Sequence, residues 1–199
     1  MFEKFQRWIR YNLIYLGRPP WDTGVSPPEL RSFLDVHDPG QALDVGCGTG
    51  TNLLTMAKYG WQVVGVDIAW FSVLRAKIKL WQAGIKGYIF YGDITTHLEF
   101  EEKFDLVLDI GCYHSLLPNG RACYRQNLRK WLTTGGTYLL YAHLRTYSES
   151  SYGLIDEDVQ ALETFLDLCW RVDNAENRPD GGGGRPATWM EFTRKRHNK

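Results

Sequence analysis

The sequence predicts a single α/β domain with a mostly parallel, seven-stranded sheet, helices on both faces and an antiparallel hairpin at its carboxyl end. From residue 40 onward, short runs rich in Val, Ile and Leu alternate with stretches of helical periodicity. Strands without polar alternation are typical of parallel sheets that are buried on both faces. The length of 199 residues suits one domain with one hydrophobic core.

Two helices are predicted before the first strand. In the first, over residues 2–16, large apolar residues recur every three or four positions. Gly17 and the two prolines that follow it are expected to end this helix. Ser26 is expected to cap a second, shorter helix that runs to about Val36.

The rest of the chain alternates between strands and helices. Strands are predicted at 41–45, 61–68, 87–91, 104–110 and 137–142. Helices are predicted at 50–59, 70–83, 121–133 and 156–166. Two further strand-like runs, at 168–175 and 188–193, flank the loop that contains Gly181 to Gly184, and this pattern predicts a β-hairpin.

Composition argues against several classes of function. Lys plus Arg equals Asp plus Glu at 23 each, and the visible basic cluster is a terminal one, so no nucleic-acid partner is expected. No apolar run approaches the length of a membrane span, so no membrane partner is expected. The four cysteines lack metal-ligand spacing and no secretory leader is recognised, which predicts reduced thiols, no metal site and a cytoplasmic location. The sequence makes no prediction of oligomeric state.

The segment LDVGCGTG, residues 43–50, places three glycines between a predicted strand and a predicted helix. Without Cβ atoms, Gly46, Gly48 and Gly50 would let backbone N–H groups lie directly against a ligand. The third glycine comes one residue too early for the dinucleotide fingerprint GxGxxG, and no Lys follows as in a phosphate-binding loop. We therefore expect a ligand that needs no phosphate grip.

Acidic residues end three consecutive predicted strands. Asp44 precedes the glycines, Asp67 ends the second strand and Asp93 ends the third. Ligands of open α/β sheets bind beyond the carboxyl ends of the strands, where a carboxylate can accept hydrogen bonds from both hydroxyls of a ribose. Asp67 is the candidate for the ribose, and Asp93 is the candidate for an adenine amine. Together these residues predict a nucleoside pocket.

The segment LDIGCYHS, residues 108–115, repeats the strand-end pattern and then diverges. We expect the fourth strand to lie beside the first, so that Tyr113 and His114 either face an acceptor molecule or pack beneath the next helix. His143 and Arg145 follow the fifth strand and are further candidates for the acceptor side. The linker that they begin also carries Tyr147 and Tyr152.

These motifs resemble those of class I S-adenosylmethionine-dependent methyltransferases, and most closely the branch that includes thiopurine S-methyltransferase and tellurite-resistance methyltransferases. The resemblance is carried by PPWDTG at 19–24, GCGTGTNLL at 46–54, Val64 to Asp67, Gly92 to Ile94, FDLVLDIGCYHSL at 104–116 and the Trp-containing strand at 188–193. It implies a Rossmann-like domain that binds S-adenosyl-L-methionine and releases S-adenosyl-L-homocysteine.

The resemblance also assigns residues to roles. The glycine turn would face the methionine part of the cofactor, the acid of the second strand the ribose, and the Gly-Asp pair the adenine. Carried over to this chain, the cofactor-binding residues are Trp21, Asp44, Gly46, Cys47, Gly48, Gly50, Asp67, Ile68, Asp93, Ile94, Asp109 and Ile110. The substrate residues are Trp21, Tyr113, His114, His143 and Arg145, with His114 and Tyr113 as candidate catalytic residues.

The same resemblance implies that the PPWDTG segment closes over cofactor and acceptor. Residues 1–39 are accordingly predicted to form a helical lid segment, and residues 40–199 the methyltransferase domain. The expected partner is a small-molecule acceptor, because the chain shows no added domain or basic surface for a macromolecule.

The resemblance alone suggests a thiol or chalcogen acceptor, which needs little help from a base. An O- or N-methyltransferase of a metabolite or natural product is the first alternative, and a hydroxyl acceptor would want a base such as His114 or His143. A nucleoside-binding regulatory protein without catalysis is the second. A nicotinamide-dependent oxidoreductase fits the glycine spacing poorly.

Overall fold

The computed structural model describes residues 2–146, 152–176 and 185–196. The α-helices of these residues are α1 (Phe2–Ile14), α2 (Pro28–Val36), α3 (Thr51–Lys58), α4 (Trp70–Gln82), α5 (Pro118–Trp131) and α6 (Asp156–Glu163). The strands are β1 (Gln41–Val45), β2 (Gln62–Asp67), β3 (Gly87–Tyr91), β4 (Phe104–Ile110), β5 (Leu132–His143), β6 (Leu166–Glu176) and β7 (Arg185–Arg194). A single turn of 3₁₀ helix covers Tyr113–Ser115.

The seven described strands belong to one sheet. The chain divides into two compact units, residues 1–94 and 95–199. In the first unit the strand order is β3-β2-β1, and both pairs are parallel. In the second unit the order is β4-β5-β7-β6; β4 and β5 are parallel, and β7 is antiparallel to both of its neighbours. The predicted mostly parallel sheet with an antiparallel carboxyl-terminal hairpin is confirmed.

Close packing of α3 on its neighbours explains one glycine of the predicted turn. Leu53 and Met56 of α3 are fully buried in the first unit. Gly50 precedes this helix with a φ of 78°, and a Cβ atom there would lie 2.9 Å from the Cβ atom of Ala76 in α4. Gly50 therefore serves helix packing as well as the turn.

The predicted cap of the second helix is wrong. Ser26 does not cap α2, which begins at Pro28, with Pro27 in the cap position and without a side-chain hydrogen bond. The Ser26 hydroxyl instead hydrogen-bonds with Asn52 Oδ1 and Thr55 Oγ1, each at 2.8 Å. Because Pro27 already fixes the backbone at the start of the helix, Ser26 is left to tie this segment to α3.

The predicted start of the fifth strand is also wrong. β5 begins at Leu132 and therefore follows α5 directly. It runs through Gly135, whose φ of 81° only glycine adopts readily, so a pair of glycines inside the strand does not end it. The glycine-rich loop of the hairpin and Tyr147 lie outside the described residues. Within the described ranges, no helix is long and apolar enough to cross a membrane.

Candidate functional site

Backbone hydrogen bonds to β2 build the glycine turn between β1 and α3. The amides of Gly46 and Cys47 both donate to the carbonyl oxygen of Val66, at 2.8 and 3.1 Å. The Gly48 amide donates to Asp67 Oδ2 at 2.9 Å. These amides are therefore engaged within the protein, contrary to the expectation that they would face a ligand. With its amides engaged, the turn has no phosphate grip to offer, which suits a ligand that carries no phosphate.

Asp67 is the centre of hydrogen bonding at the end of β2. Its side chain is only 6% exposed, and Oδ1 accepts a further bond from the Ala69 amide at 2.7 Å. Burial raises the pKa of this carboxyl group, while the bonds from Ala69 and Gly48 act in the opposite direction. Hydrogen bonds from the Ser72 side chain and the Ile68 backbone lower this pKa as well. The contact between Asp67 and ribose hydroxyls stays a prediction.

The segment after α1 packs against the glycine turn. A Cβ atom on Gly48 would lie 2.8 Å from the Tyr15 hydroxyl oxygen, so the absence of a side chain admits this tyrosine. The indole Nε1 of Trp21 donates to the same hydroxyl at 3.3 Å, and the two rings meet edge to face. Burial raises the pKa of Tyr15 well above its usual range. The structure thus brings Trp21 close to the turn through Tyr15, a residue that the sequence analysis missed.

Gly48→Ala is expected to lower the free energy of unfolding by about 2 to 4 kcal/mol, because the positive φ and the contact with Tyr15 are both unfavourable for a side chain. In a Tyr15→Phe background the clash disappears, and we expect a cost of only about 1 to 2 kcal/mol. Gly84→Ala is the matched control, since Gly84 has a φ of 69° and no atom near the added Cβ. Urea unfolding measures all four variants. Equal costs of Gly48→Ala in both backgrounds would contradict the close approach of Tyr15.

A second contact joins this segment to the turn and to α4. Thr49 Oγ1 donates to Asp22 Oδ2 at 2.9 Å and accepts from Lys79 Nζ at 3.0 Å. Lys79 also donates to Thr51 Oγ1 at 2.9 Å. Burial lowers the pKa of Lys79, and nearby Asp22 opposes that shift. Lys79 of α4 therefore supplies the turn with a cation that no residue of the turn itself carries, and the sequence analysis missed it.

Helix α1 is bound to Asp93, the acidic residue that follows β3. Arg7 Nη2 lies 2.5 Å from Asp93 Oδ1 in an ion pair. Asn12 Oδ1 accepts a bond from the Trp70 amide at 2.9 Å, at the start of α4. Asp93, which is predicted to face an adenine amine, therefore has Arg7 as a partner that the sequence analysis did not identify.

In the second unit, Asp109 anchors the turn that follows β4. Its carboxylate is fully buried and accepts bonds from the hydroxyls of Tyr124 and Tyr138, at 2.8 and 3.3 Å, and from the Cys112 amide at 2.7 Å. Burial raises the pKa of Asp109 to about 6, although these bonds act in the opposite direction. The side chain of Asp109 is thus committed to the turn, and a cofactor contact at Asp109 would have to come from the backbone.

Tyr113 is fully buried beneath α5. Its hydroxyl accepts a bond from Arg125 Nη1 at 2.7 Å, and its ring centroid lies 5.2 Å from that of Tyr124. Burial also raises the pKa of Tyr113. This placement favours the packing alternative over a contact with the acceptor.

His114 has both ring nitrogens engaged and is 3% exposed. The His143 amide donates to Nδ1 at 3.2 Å, so Nδ1 carries no proton. The proton of the neutral ring is therefore on Nε2, which donates to the Tyr152 hydroxyl oxygen at 2.8 Å. Burial lowers the pKa of His114 to about 3, and His143 adds to the shift. This arrangement leaves no ring nitrogen to take a proton from an acceptor, and it favours a positioning role.

We expect His114 to make the protein less stable as the pH falls. Its pKa of about 3 in the folded state lies below the ordinary 6.5, so the unfolded chain binds the proton first and gains from acidification. Between pH 7 and pH 5 this residue should cost about 2 kcal/mol of unfolding free energy. Urea unfolding at both pH values tests this, because the loss should be smaller by that amount in His114→Gln. An identical loss would show that His114 is not held neutral.

Arg121 of α5 ties this region together. Its guanidinium is 1% exposed, forms an ion pair with Asp158 of α6 and donates to the carbonyl oxygens of His114 and Gly153, both at 2.9 Å. The Gly153 amide also donates to the His114 carbonyl at 3.1 Å. The 3₁₀ turn is thereby bound to the segment that carries Tyr152.

The structure brings three of the rings near the end of β5 together. The His143 ring lies edge to face with that of His114, at 4.8 Å between centroids, and 5.9 Å from the ring of Tyr152. The Arg145 amide donates to the Leu154 carbonyl at 2.9 Å, which holds the linker beside β5. Within the parts of the chain that are described, no group of His, Cys, Asp and Glu side chains could hold a metal ion.

Comparison with known proteins identifies relatives of this chain. The family described as "Methyltransferase domain" matches residues 42–136. The chain is 26% identical over 189 residues to 2-heptyl-1-hydroxyquinolin-4(1H)-one methyltransferase of Mycobacteroides abscessus, across 88% of this chain and 82% of that protein. It is 32% identical over 123 residues to probable thiol methyltransferase 2 of Arabidopsis thaliana, across 60% of this chain and only 54% of that protein.

A solved structure confirms the fold over almost the whole chain. The N-methyltransferase NodS from Bradyrhizobium japonicum WM9, in complex with S-adenosyl-l-homocysteine, matches with a TM-score of 0.76 and 16% identity. The match covers 97% of this chain and 99% of that one.

Proposed function

Because the chain is an S-adenosylmethionine-dependent methyltransferase, we propose that it moves the methyl group of this cofactor to a small-molecule thiol or a similarly soft acceptor. The observation that carries the cofactor half of the proposal is the glycine turn with its engaged amides beside the buried Asp67. Such a turn suits a nucleoside that bears a sulfonium and carries no phosphate group.

The residues of the first unit fit this cofactor. A Cβ atom on Gly48 would lie 2.8 Å from the Tyr15 hydroxyl oxygen, so Tyr15 lines the glycine turn. We assign the ribose to Asp67 with Ile68, the adenine to Asp93 with Ile94, and the methionine part to the glycine turn. The remaining proposed cofactor contacts are Trp21, Asp44, Cys47, Asp109 and Ile110. When bound, the cofactor supplies a methyl group that its sulfonium already activates.

The residues of this chain then have to bind the two reactants, align them and exclude water from the site. Alignment of the two reactants can supply about 7 to 11 kcal/mol of barrier reduction. A thiolate needs no proton to be removed during transfer. The engaged ring nitrogens of His114 support such an acceptor, because a neutral alcohol would want a base.

A hydroxyl acceptor is the second candidate, and the relative matched over most of its length supports it. That relative is named for a substrate with a hydroxyl on a quinolinone ring, and the chain spans 82% of it. In both candidate functions the acceptor is a small molecule. A nucleoside-binding protein without catalysis is the remaining candidate, from another class.

A tritiated-methyl transfer assay separates these candidates. The purified protein is incubated with labelled S-adenosylmethionine and with 4-nitrobenzenethiol, benzyl mercaptan or 1-hydroxyquinolin-4(1H)-one. We expect transfer to a thiol at least tenfold above the protein-free rate. Transfer only to the hydroxyquinolinone would replace the thiol by the second candidate. Tight binding of S-adenosylhomocysteine without transfer to any acceptor would support the remaining candidate, a nucleoside-binding protein without catalysis.

A further inference from the structure

We propose that the first unit attaches to an anionic membrane surface through the solvent-facing side of α4, without spanning the bilayer. Such an attachment is peripheral, so it agrees with the finding that no described helix could cross a membrane. It revises the expectation that the chain has no membrane partner, because that expectation rested on the lack of a span alone. The proposal goes beyond methyl transfer and does not depend on the identity of the acceptor.

Helix α4 is apolar on the side that packs in the first unit. Val73, Ala76 and Leu80 are buried there. A Cβ atom on Gly87 of β3 would lie 2.7 Å from Leu80 Cδ2. A Cβ atom on Gly50 would lie 2.9 Å from the Cβ atom of Ala76. This side of α4 is therefore already used in the core of the unit.

The other side of α4 is apolar as well, yet it is exposed. Positions 70, 74, 78 and 81 follow the spacing of three and four residues that places side chains on one helical face. The exposed apolar side chains, which we call the α4 surface, are those of Trp70, Phe71, Leu74, Ile78 and Trp81. A helix that is apolar all round is normally buried all round. Trp81 is instead 79% exposed, so the described part of the chain leaves this surface open to a partner.

The α4 surface lies in a segment of unbalanced positive charge. Residues 68–92 contain no acidic residue and four cations, which are Arg75, Lys77, Lys79 and Lys86. Arg75, Lys77 and Lys86 are exposed, and within the described ranges none of the three forms an ion pair. Lys77 comes three positions after Leu74 and four before Trp81, so it borders the α4 surface directly. The complementary partner is therefore anionic.

A second copy of this chain does not meet that requirement. In a symmetric dimer the same patch faces itself on both subunits. Arg75 and Lys77 would then approach the same two residues of the other copy, and α4 has no acidic residue to neutralise them. Like charges brought together in an interface are unfavourable, which disfavours self-association through this surface.

Lysine beside tryptophan favours a membrane over an acidic protein. Protein interfaces are depleted of Lys. At a membrane, the stem of Lys lies on apolar surface while its ammonium group reaches the headgroups, and Trp and Tyr rings are enriched at that depth. Interfacial helices combine cations with Trp, Phe and Leu in this way. Tyr91, whose ring meets that of Trp70 edge to face at 5.8 Å, adds an exposed ring beside the start of α4.

Contacts with the amino-terminal segment hold α4 in place. The Trp70 amide donates to Asn12 Oδ1 at 2.9 Å, and Arg75 Nη1 donates to the Gly17 carbonyl oxygen at 2.7 Å. The helix and its apolar side are thus formed before a membrane is met. Binding then orders few groups, and little affinity is lost to ordering.

Co-sedimentation with lipid vesicles tests the proposal. The full chain is mixed with vesicles of phosphatidylcholine alone, or of phosphatidylcholine and phosphatidylglycerol in equal parts. We expect binding to the mixed vesicles to be at least tenfold tighter, because each cation near an anionic surface adds to the affinity, and to weaken as salt is added. No binding to the mixed vesicles, or equal binding to both kinds, would overturn the proposal.

Variants locate the membrane contact. Trp81→Ala should weaken binding to the mixed vesicles at least tenfold, and Lys77→Gln about fivefold. The controls are Tyr59→Ala and Lys58→Gln, which remove an exposed ring and an exposed cation at the end of α3 and should change binding less than twofold. Effects of the controls as large as those of the α4 variants would overturn the proposal. Urea unfolding verifies that each variant is folded, and if Trp81→Ala does not fold, Lys77→Gln decides alone.

Two further measurements identify a different occupant of the α4 surface. Sedimentation velocity that shows a dimer of the wild type, dissociated by Trp81→Ala, would assign the surface to a second copy and overturn the proposal. Retention on polyglutamate or on single-stranded RNA, without binding to the mixed vesicles, would assign it to an acidic protein or a nucleic acid and also overturn it. A monomer that binds the mixed vesicles and neither polymer supports the membrane.

Discussion

Asp67→Ala is expected to weaken the binding of S-adenosylhomocysteine at least 100-fold. Two hydrogen bonds from ribose hydroxyls to a buried carboxylate contribute about 1.5 kcal/mol each or more, and about 2.8 kcal/mol corresponds to 100-fold. The same side chain accepts bonds from the amides of Gly48 and Ala69, so its loss also loosens the glycine turn. Calorimetric titration measures the affinity.

The control for this prediction is Asp35→Ala, which removes an exposed carboxylate from α2. The affinity of this variant for S-adenosylhomocysteine should equal that of the wild type. Asp67→Asn separates the two roles of the residue, since the amide oxygen can still accept one bond from the turn. An affinity of Asp67→Ala within threefold of the wild type would contradict the assignment of the ribose to this residue.

Asp158→Ala is expected to lower the free energy of unfolding by about 3 to 5 kcal/mol. The substitution leaves the guanidinium of Arg121, 1% exposed, without a counter-charge in the second unit. Asp158 also accepts a bond from the Ile155 amide at 3.2 Å at the start of α6, so the helix loses a cap. Urea unfolding followed by circular dichroism gives the value.

Asp156→Ala is the matched control in the same helix. Its side chain is 84% exposed, and its nearest cation, Arg171, is 3.7 Å away. Its loss should cost less than about 1 kcal/mol. If Asp158→Ala cost no more than Asp156→Ala, the buried ion pair would not hold the 3₁₀ turn to the segment of Tyr152.

Local sequence patterns were sufficient to predict the sheet and the residues at which its strands end. Asp67 ends β2 and Asp109 lies one residue before the end of β4, because apolar runs mark both strands directly. The β-hairpin followed in the same way from two strand-like runs. Ser26 was misassigned because its partners, Asn52 and Thr55, come from another helix and leave no trace near residue 26.

The contacts around the glycine turn could not be predicted for the same reason. Tyr15 reaches Gly48 and Lys79 reaches Thr49 only after α1 and α4 have packed, and neither pair has a characteristic spacing. The sequence could also not show that the turn amides are already engaged. The two copies of LD-x-GC look alike, yet Asp109 is bound by Tyr124 and Tyr138, which come from later elements.

The most direct test of the account is calorimetric titration of the wild-type protein with S-adenosylhomocysteine and, separately, with NAD⁺. The glycine turn beside Asp67 should bind S-adenosylhomocysteine with a dissociation constant of about 1 to 100 μM, corresponding to about 5 to 8 kcal/mol. NAD⁺, whose pyrophosphate would find the turn amides already engaged, should not bind measurably. Binding of NAD⁺ without binding of S-adenosylhomocysteine would contradict the assignment of the cofactor to this turn.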